Sequence, residues 1–227
     1  MIPILRSMRS MRSMLGMITA LLVVGCASVP TTRFYTLSAT FEPSEVKDAS
    51  RHLLQSPMPI FIEVMPVNVP ERLARPQLVV RSQGSERETQ LFILEQDRWS
   101  SHFNHELRDA FAIGIANQTG AVNETRGIRT LDRPAYRIAI ELSQFDAIVG
   151  DKIQARFGWT ITRSTDGRSA ACYSAISEPV GGGIEGVVKG VQRTVSSVVA
   201  DVSKNLIELD TDQVATCATQ ENPMDGY

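Results

Sequence analysis

No stretch of this sequence is both long and apolar enough to cross a bilayer as a helix, which takes roughly 20 such residues. The longest apolar run, residues 14–24, falls short. Positive charge is not in surplus either: 23 Lys+Arg stand against 25 Asp+Glu, with none of the clustered basic faces that nucleic-acid binding requires, so that partner class is excluded. Histidine and cysteine are scarce, at 3 each, which leaves little material for metal ligation or thiol chemistry. No serine sits in Gly-x-Ser-x-Gly, no His-Glu-x-x-His occurs, and there is no internal repeat or low-complexity tract.

What is present begins at the N-terminus. Arg6, Arg9 and Arg12, with no acid near them, precede an apolar run from Met14 to Val24, the make-up of a secretory leader. It ends in Val23-Val24-Gly25-Cys26, which resembles the bacterial lipobox and makes Cys26 the lipidated first residue after cleavage. Several acyl chains at about 0.8 kcal/mol per buried CH₂ anchor a protein firmly. The other reading is an ordinary signal peptide with a chance cysteine. Asp after the cysteine resembles an inner-membrane retention signal in Gram-negative lipoproteins; Ala27 stands there instead, so the expected address is the periplasmic face of the outer membrane.

Removing residues 1–25 takes away three Arg and no acid, so 23 − 3 = 20 basic residues face 25 acidic ones, a formal charge of −5. The expected organisation is a signal peptide over 1–25, a lipidated cysteine and tether over 26–32, one domain over 33–209 and a polar tail over 210–227. A tether of about seven residues reaches no more than ~25 Å, which keeps the domain close to the bilayer. With Cys26 lipidated, Cys172 and Cys217 remain as an even pair. They are open to a bridge in an oxidising compartment, or to two unpaired thiols, one under a strand and one in the tail.

Periodicity supplies the elements. Short β-branched or aromatic runs at Arg33–Leu37, Ile60–Met65, Gln77–Arg81 and Leu91–Leu94 read as strands, the second of them central. From Asp97 the spacing changes: Trp99, Phe103, Leu107, Ala110, Phe111 and Gly114 predict an amphipathic helix ending near Asn117 to Gly120. Strict alternation through Tyr136–Leu142, Ile153–Ile161 and Ala170–Ser177, with turns at Val149-Gly150-Asp151 and Asp166-Gly167, predicts a three-stranded meander. A stripe from Ile184 to Leu209 predicts a long second helix held by burial, since its many valines have modest helix propensity. The fold class is α+β: one antiparallel-rich sheet with two amphipathic helices packed on one face.

Candidate chemistry is sparse. Gly181-Gly182-Gly183-Ile184-Glu185-Gly186 satisfies G-x-G-x-x-G, but the dinucleotide fingerprint needs a parallel strand–turn–helix unit, and here an antiparallel meander precedes it. The expected role is a loop and a glycine-lightened helix start, with a flexible partner-binding loop as the alternative. His102, His105, Glu106 and Asp109 lack metal-site spacing and fall off the apolar stripe, so a solvated helix face is expected. Trp99 and Trp159 are expected in the core. Arg72, Arg75 and Arg81 are a candidate basic patch for lipid headgroups, or plain solvated side chains. No catalytic residue, cofactor or metal ligand is assigned.

Phe34-Tyr35-Thr36-Leu37, the run Val69-Pro70-Glu71-Arg72-Leu73-Ala74-Arg75-Pro76-Gln77-Leu78-Val79-Val80-Arg81, Arg98-Trp99, Gln144-Phe145-Asp146 and Ala155–Trp159 complete the pattern. Together with the lipobox it resembles the PqiC-like lipoproteins, the ABC-type transport auxiliary lipoproteins. That resemblance implies a non-catalytic outer-membrane lipoprotein working beside MCE-domain proteins and an ABC transporter, and a homo-oligomeric ring. The expected partner surface is Glu71, Arg72 and Arg75 with Gly181, Gly182 and Gly183. A stand-alone envelope scaffold and a periplasmic hydrolase are the competing functions.

Overall fold

A computed structural model describes residues 30–38, 60–81, 90–123 and 135–217. The lipobox, Cys26 and Ala27 lie outside them, as does the irregular stretch before Ile60. The strands are β1 (Arg33–Tyr35), β2 (Phe61–Val64), β3 (Gln77–Val80), β4 (Phe92–Trp99), β5 (Val122–Asn123), β6 (Ala135–Ala147), β7 (Lys152–Arg163) and β8 (Ser169–Pro179). The helices are α1 (Phe103–Thr119) and α2 (Gly183–Asp210), and Glu71–Leu73 form one 3₁₀ turn.

The α+β class holds, with one domain; among the described residues there are two helices, and two mixed sheets where one was expected. The smaller has the order β1-β4-β3 and the larger β5-β2-β6-β7-β8. The meander is as the alternation predicts, with β6, β7 and β8 antiparallel in sequence. β2 is internal, as expected, yet it runs parallel to both β5 and β6. β1 likewise runs parallel to β4. The sheets part between β2, which ends at Val64, and β3, which begins after Pro76; in between, beyond Pro66, Asn68 still bridges Glu141 of β6 in parallel. They meet again at Arg81, whose N–H donates to Ala147 O at 2.7 Å and whose carbonyl accepts from Val149 N–H at 3.2 Å. The Arg81 guanidinium also pairs with Asp146 at 2.7 Å. Arg81 is thereby removed from the expected headgroup patch.

In the larger sheet Tyr136, Ile138, Ile140 and Leu142 of β6 and Ile153, Phe157, Trp159 and Ile161 of β7 point into the core. The helices cover that one face, α2 over β7 and β8 and α1 over β2 and β5, and they pack on each other. Gly150 and Gly167 turn the meander at φ 75° and 73°, and Gly120 closes α1 in the left-handed conformation, where glycine pays no steric penalty. Helix α2 buries nine aliphatic side chains between Val187 and Leu209, which offsets the modest propensity of its valines.

The helical reading of Trp99 is corrected. Trp99 is the last residue of β4, in register with Tyr35, and its N–H donates to Pro76 O at 2.7 Å. Only at Phe103 does α1 begin. Trp99 nevertheless stacks on Phe103 across the strand–helix corner, with ring centroids 5.3 Å apart. Both tryptophans are buried, at 4% and 3% exposure.

Candidate docking surface

The turn before β3 is built on its one apolar residue. Leu73 is buried while Glu71 and Arg72 are exposed, so the chain is pinned at Leu73 and presents its charges outward. The turn closes through Leu73 N–H to Pro70 O at 2.8 Å and Ala74 N–H to Glu71 O at 3.1 Å. Arg75 is half-buried; its carbonyl accepts from Phe103 N–H at 3.2 Å, which satisfies a donor left free at the start of α1.

The glycine loop leads into α2. Gly181, Gly182 and Gly183 are exposed, and Gly183 has φ 77°. One turn into α2, Val187 and Val191 share a small apolar cavity with Leu73, Trp99, Phe103 and Phe145. Its volume, about 10 Å³, is room for one water and not for an acyl chain. Of the two sequence-predicted loops, the first thus reaches this cavity through Leu73, while the second leads into the helix that reaches it through Val187. Gly186 has a further role: a Cβ there would lie 2.3 Å from the Gly181 carbonyl oxygen, so helix and loop touch only because the side chain is absent. The G-x-G-x-x-G run is therefore a close-packed helix start that follows an antiparallel strand, the arrangement a dinucleotide site does not use.

The solvated-face reading of the first helix holds for His102, His105 and Asp109, which are exposed, and fails for Glu106, which is 5% exposed. The Glu106 carboxylate accepts from Ser100 Oγ at 2.5 Å, Ser101 Oγ at 3.0 Å, Thr36 Oγ1 at 3.1 Å and Leu37 N–H at 3.1 Å. Burial pushes its pKa up, but the four donors together outweigh burial and hold it below the usual carboxylate value. The other buried carboxylate, Asp97, accepts from Tyr35 OH at 3.0 Å and pairs with Arg33 at 2.8 Å. Tyr136 OH donates to Asp210 at 2.7 Å; burial, and then that carboxylate, hold the phenol protonated well above its ordinary value. Among the described residues no group of three or more His, Cys, Asp or Glu could hold a metal ion. No helix among them is long and apolar enough to cross a membrane.

At the far end of the core, Cys172 of β8 is joined to Cys217, 45 residues on, with Cα atoms 5.4 Å apart. Residues 211–217, the described part of the chain after α2, are tied down: Asn205 Nδ2 donates to Thr216 O at 3.0 Å and Thr216 N–H donates to Glu208 at 2.9 Å. Asn205 Oδ1 in turn accepts from Trp159 Nε1. Nothing local in the sequence pairs these residues. Trp159 and Asn205 meet only through the packing of α2 on β7.

Taken together, this is an α+β domain whose buried polar groups hold the fold and whose charged loops face outward. Its backbone resembles a crystal structure of an uncharacterized protein (TM-score 0.57, 16% identity, covering 78% of this chain and 99% of that one). It also resembles a crystal structure of a Xanthomonas campestris protein of family DUF330 (TM-score 0.52, 14% identity, covering 81% and 96%). No curated protein matches the chain. The model of the ABC-type transport auxiliary lipoprotein component family matches residues 35–203. The chain belongs to that family of transport auxiliary lipoproteins.

Proposed function

We propose that this domain, held on the periplasmic face of the outer membrane by lipid on Cys26, docks an MCE-domain partner of an ABC-type transport system and aids lipid passage without catalysing a reaction. The observation that carries the reading is the family match across residues 35–203. It is supported by the outward exposure of Glu71, Arg72 and Gly181 to Gly183 and by the engagement of both buried carboxylates in structural hydrogen bonds. Energy for transport comes from the partner's ATPase, and copies of the domain assemble into a ring around the tubular partner.

Complementation of a deletion strain tests this. Reversing the charges of Glu71, Arg72 and Arg75 abolishes pull-down of the MCE protein and sensitises cells to membrane-active compounds, while His105→Ala does neither. Cys26→Ser leaves uncleaved precursor, and Ala27→Asp moves the protein toward the inner membrane on density fractionation. If His105→Ala removes function with partner capture intact, an enzyme replaces the adaptor; wild-type protein found at the inner membrane overturns the address.

A further inference from the structure

The smaller sheet turns one face into the core through Leu78, Val80 and Trp99. Its other face is set by the register, since residues paired across neighbouring strands stand on the same side. Phe34 and Gln77 are each paired with Arg98, and Val79 is paired with Ile93. Phe34 on this outward face is 66% exposed and Ile93 45%.

The Phe34 ring is held outward. Its two neighbours are both fastened to the buried Asp97, Arg33 by an ion pair at 2.8 Å and Tyr35 through its hydroxyl at 3.0 Å. They occupy the core side, so the alternation of a strand sends Phe34 to the other. Thr32 Oγ1 donates to Gln96 Oε1 at 2.9 Å and fixes the path of the chain into β1. Arg98 and Glu95 on this side pair with each other at 3.1 Å, and Gln77 Nε2 donates to the same carboxylate at 3.4 Å. The pair brings no net charge to the face, although the chain after residue 25 carries −5.

We propose that this face of the smaller sheet rests on the phospholipid bilayer, with the Phe34 and Ile93 side chains entering the boundary between headgroups and acyl chains. The inference rests on the lipid proposed at Cys26, which brings that boundary within reach of β1. Phe34 follows Cys26 by 34 − 26 = 8 residues, at most ~29 Å of chain. Exposed aromatic and aliphatic side chains gathered on one face are what lies in such a boundary, roughly 5–10 Å deep. A neutral face also meets anionic headgroups without the repulsion that the acidic remainder of the chain encounters. The contact gives the domain one orientation on the membrane, which an acyl tether alone leaves free.

The mature full-length lipoprotein in vesicles of phosphatidylethanolamine and phosphatidylglycerol tests this. The fluorophore NBD is placed on Gln96→Cys, beside Phe34, or on Thr160→Cys, exposed on β7 of the larger sheet, and mass spectrometry reads the acyl chains on Cys26. Nitroxide-bearing lipids are expected to quench the dye of Gln96→Cys, with aqueous iodide kept from it, and the reverse is expected for Thr160→Cys. Adding Phe34→Asp should lower the ratio of bilayer-seated to free face about tenfold or more, the effect of losing one buried phenyl side chain, while the lipid on Cys26 is retained. If Phe34→Asp proves unfolded by circular dichroism, Ile93→Asp takes its place. Lipidated protein whose Gln96→Cys dye stays open to iodide, or is unmoved by Phe34→Asp, overturns the proposal and leaves the anchor standing. A dye shielded from iodide yet unquenched by nitroxide lipid also overturns it, because protein then covers the face. Absence of acyl chains on Cys26 overturns both the anchor and the proposal.

Discussion

The indole Nε1–H of Trp159 donates to Oδ1 of Asn205 at 3.0 Å inside the core, fastening the middle of β7 to the last turns of α2. Asn205 is 1% exposed, and its amide Nδ2 passes the connection on to Glu208 and to the Thr216 carbonyl. One side chain thus joins sheet, helix and the chain beyond the helix.

Asn205→Leu leaves the buried indole N–H without an acceptor. The expected cost is about 2 to 3 kcal/mol, read as a fall in the urea midpoint with an unchanged slope. An unchanged midpoint would show that the bond contributes nothing.

The Cys172–Cys217 bridge closes a loop of 45 residues, for which chain entropy predicts on the order of 3 to 4 kcal/mol. Neither thiol of the unreduced, denatured protein should alkylate. Quantitative labelling of both would show that the cysteines are free in the envelope.

Because the folded-state pKa of Glu106 is lowered, its stabilisation is fully present above the ordinary glutamate value, about 4.3, and is lost as pH falls below it. Glu106→Gln is expected to cost on the order of 2 kcal/mol at neutral pH. It should also flatten the loss of stability between pH 5 and pH 3 that the wild type shows. Parallel curves for the two proteins over that range would exclude a charged Glu106.

Gly186→Ala places a methyl 2.3 Å from the Gly181 carbonyl, whereas Gly182→Ala meets nothing within 4 Å. The first should cost about 1 to 3 kcal/mol, several degrees in Tm, and the second almost nothing. Equal melting temperatures would mean the loop gives way without cost.

The sequence made the meander and α2 legible because their signals are local: Tyr136, Ile138, Ile140 and Leu142 alternate within a few residues, and the valines of α2 recur at helical spacing. Glu106 was misread because, besides the nearby Ser100 and Ser101, it is held by Thr36 and Leu37, 70 and 69 residues away, beyond the reach of any periodicity. The parallel pairing of β2 with β6 has the same cause, as does the division into two sheets. At Trp99 a strand end and a helix start reproduced helical spacing by chance. The loops of the candidate surface stand out in the sequence by their charge and glycine content, whereas the cavity that Leu73 and Val187 both line is a product of the tertiary fold.

The grip of Glu106 on Thr36 and Leu37 takes on a mechanical meaning under the proposal that lipid on Cys26 anchors the chain. A pull transmitted along the backbone into Arg33 first loads the β1–β4 pairing. It then reaches Thr36, whose hydroxyl is bonded to Glu106 of α1 and whose carbonyl accepts from Gln192 of α2 at 3.0 Å. Tension is therefore shared between both helices within four residues of its entry, so the domain resists as one body and does not peel apart from its first strand.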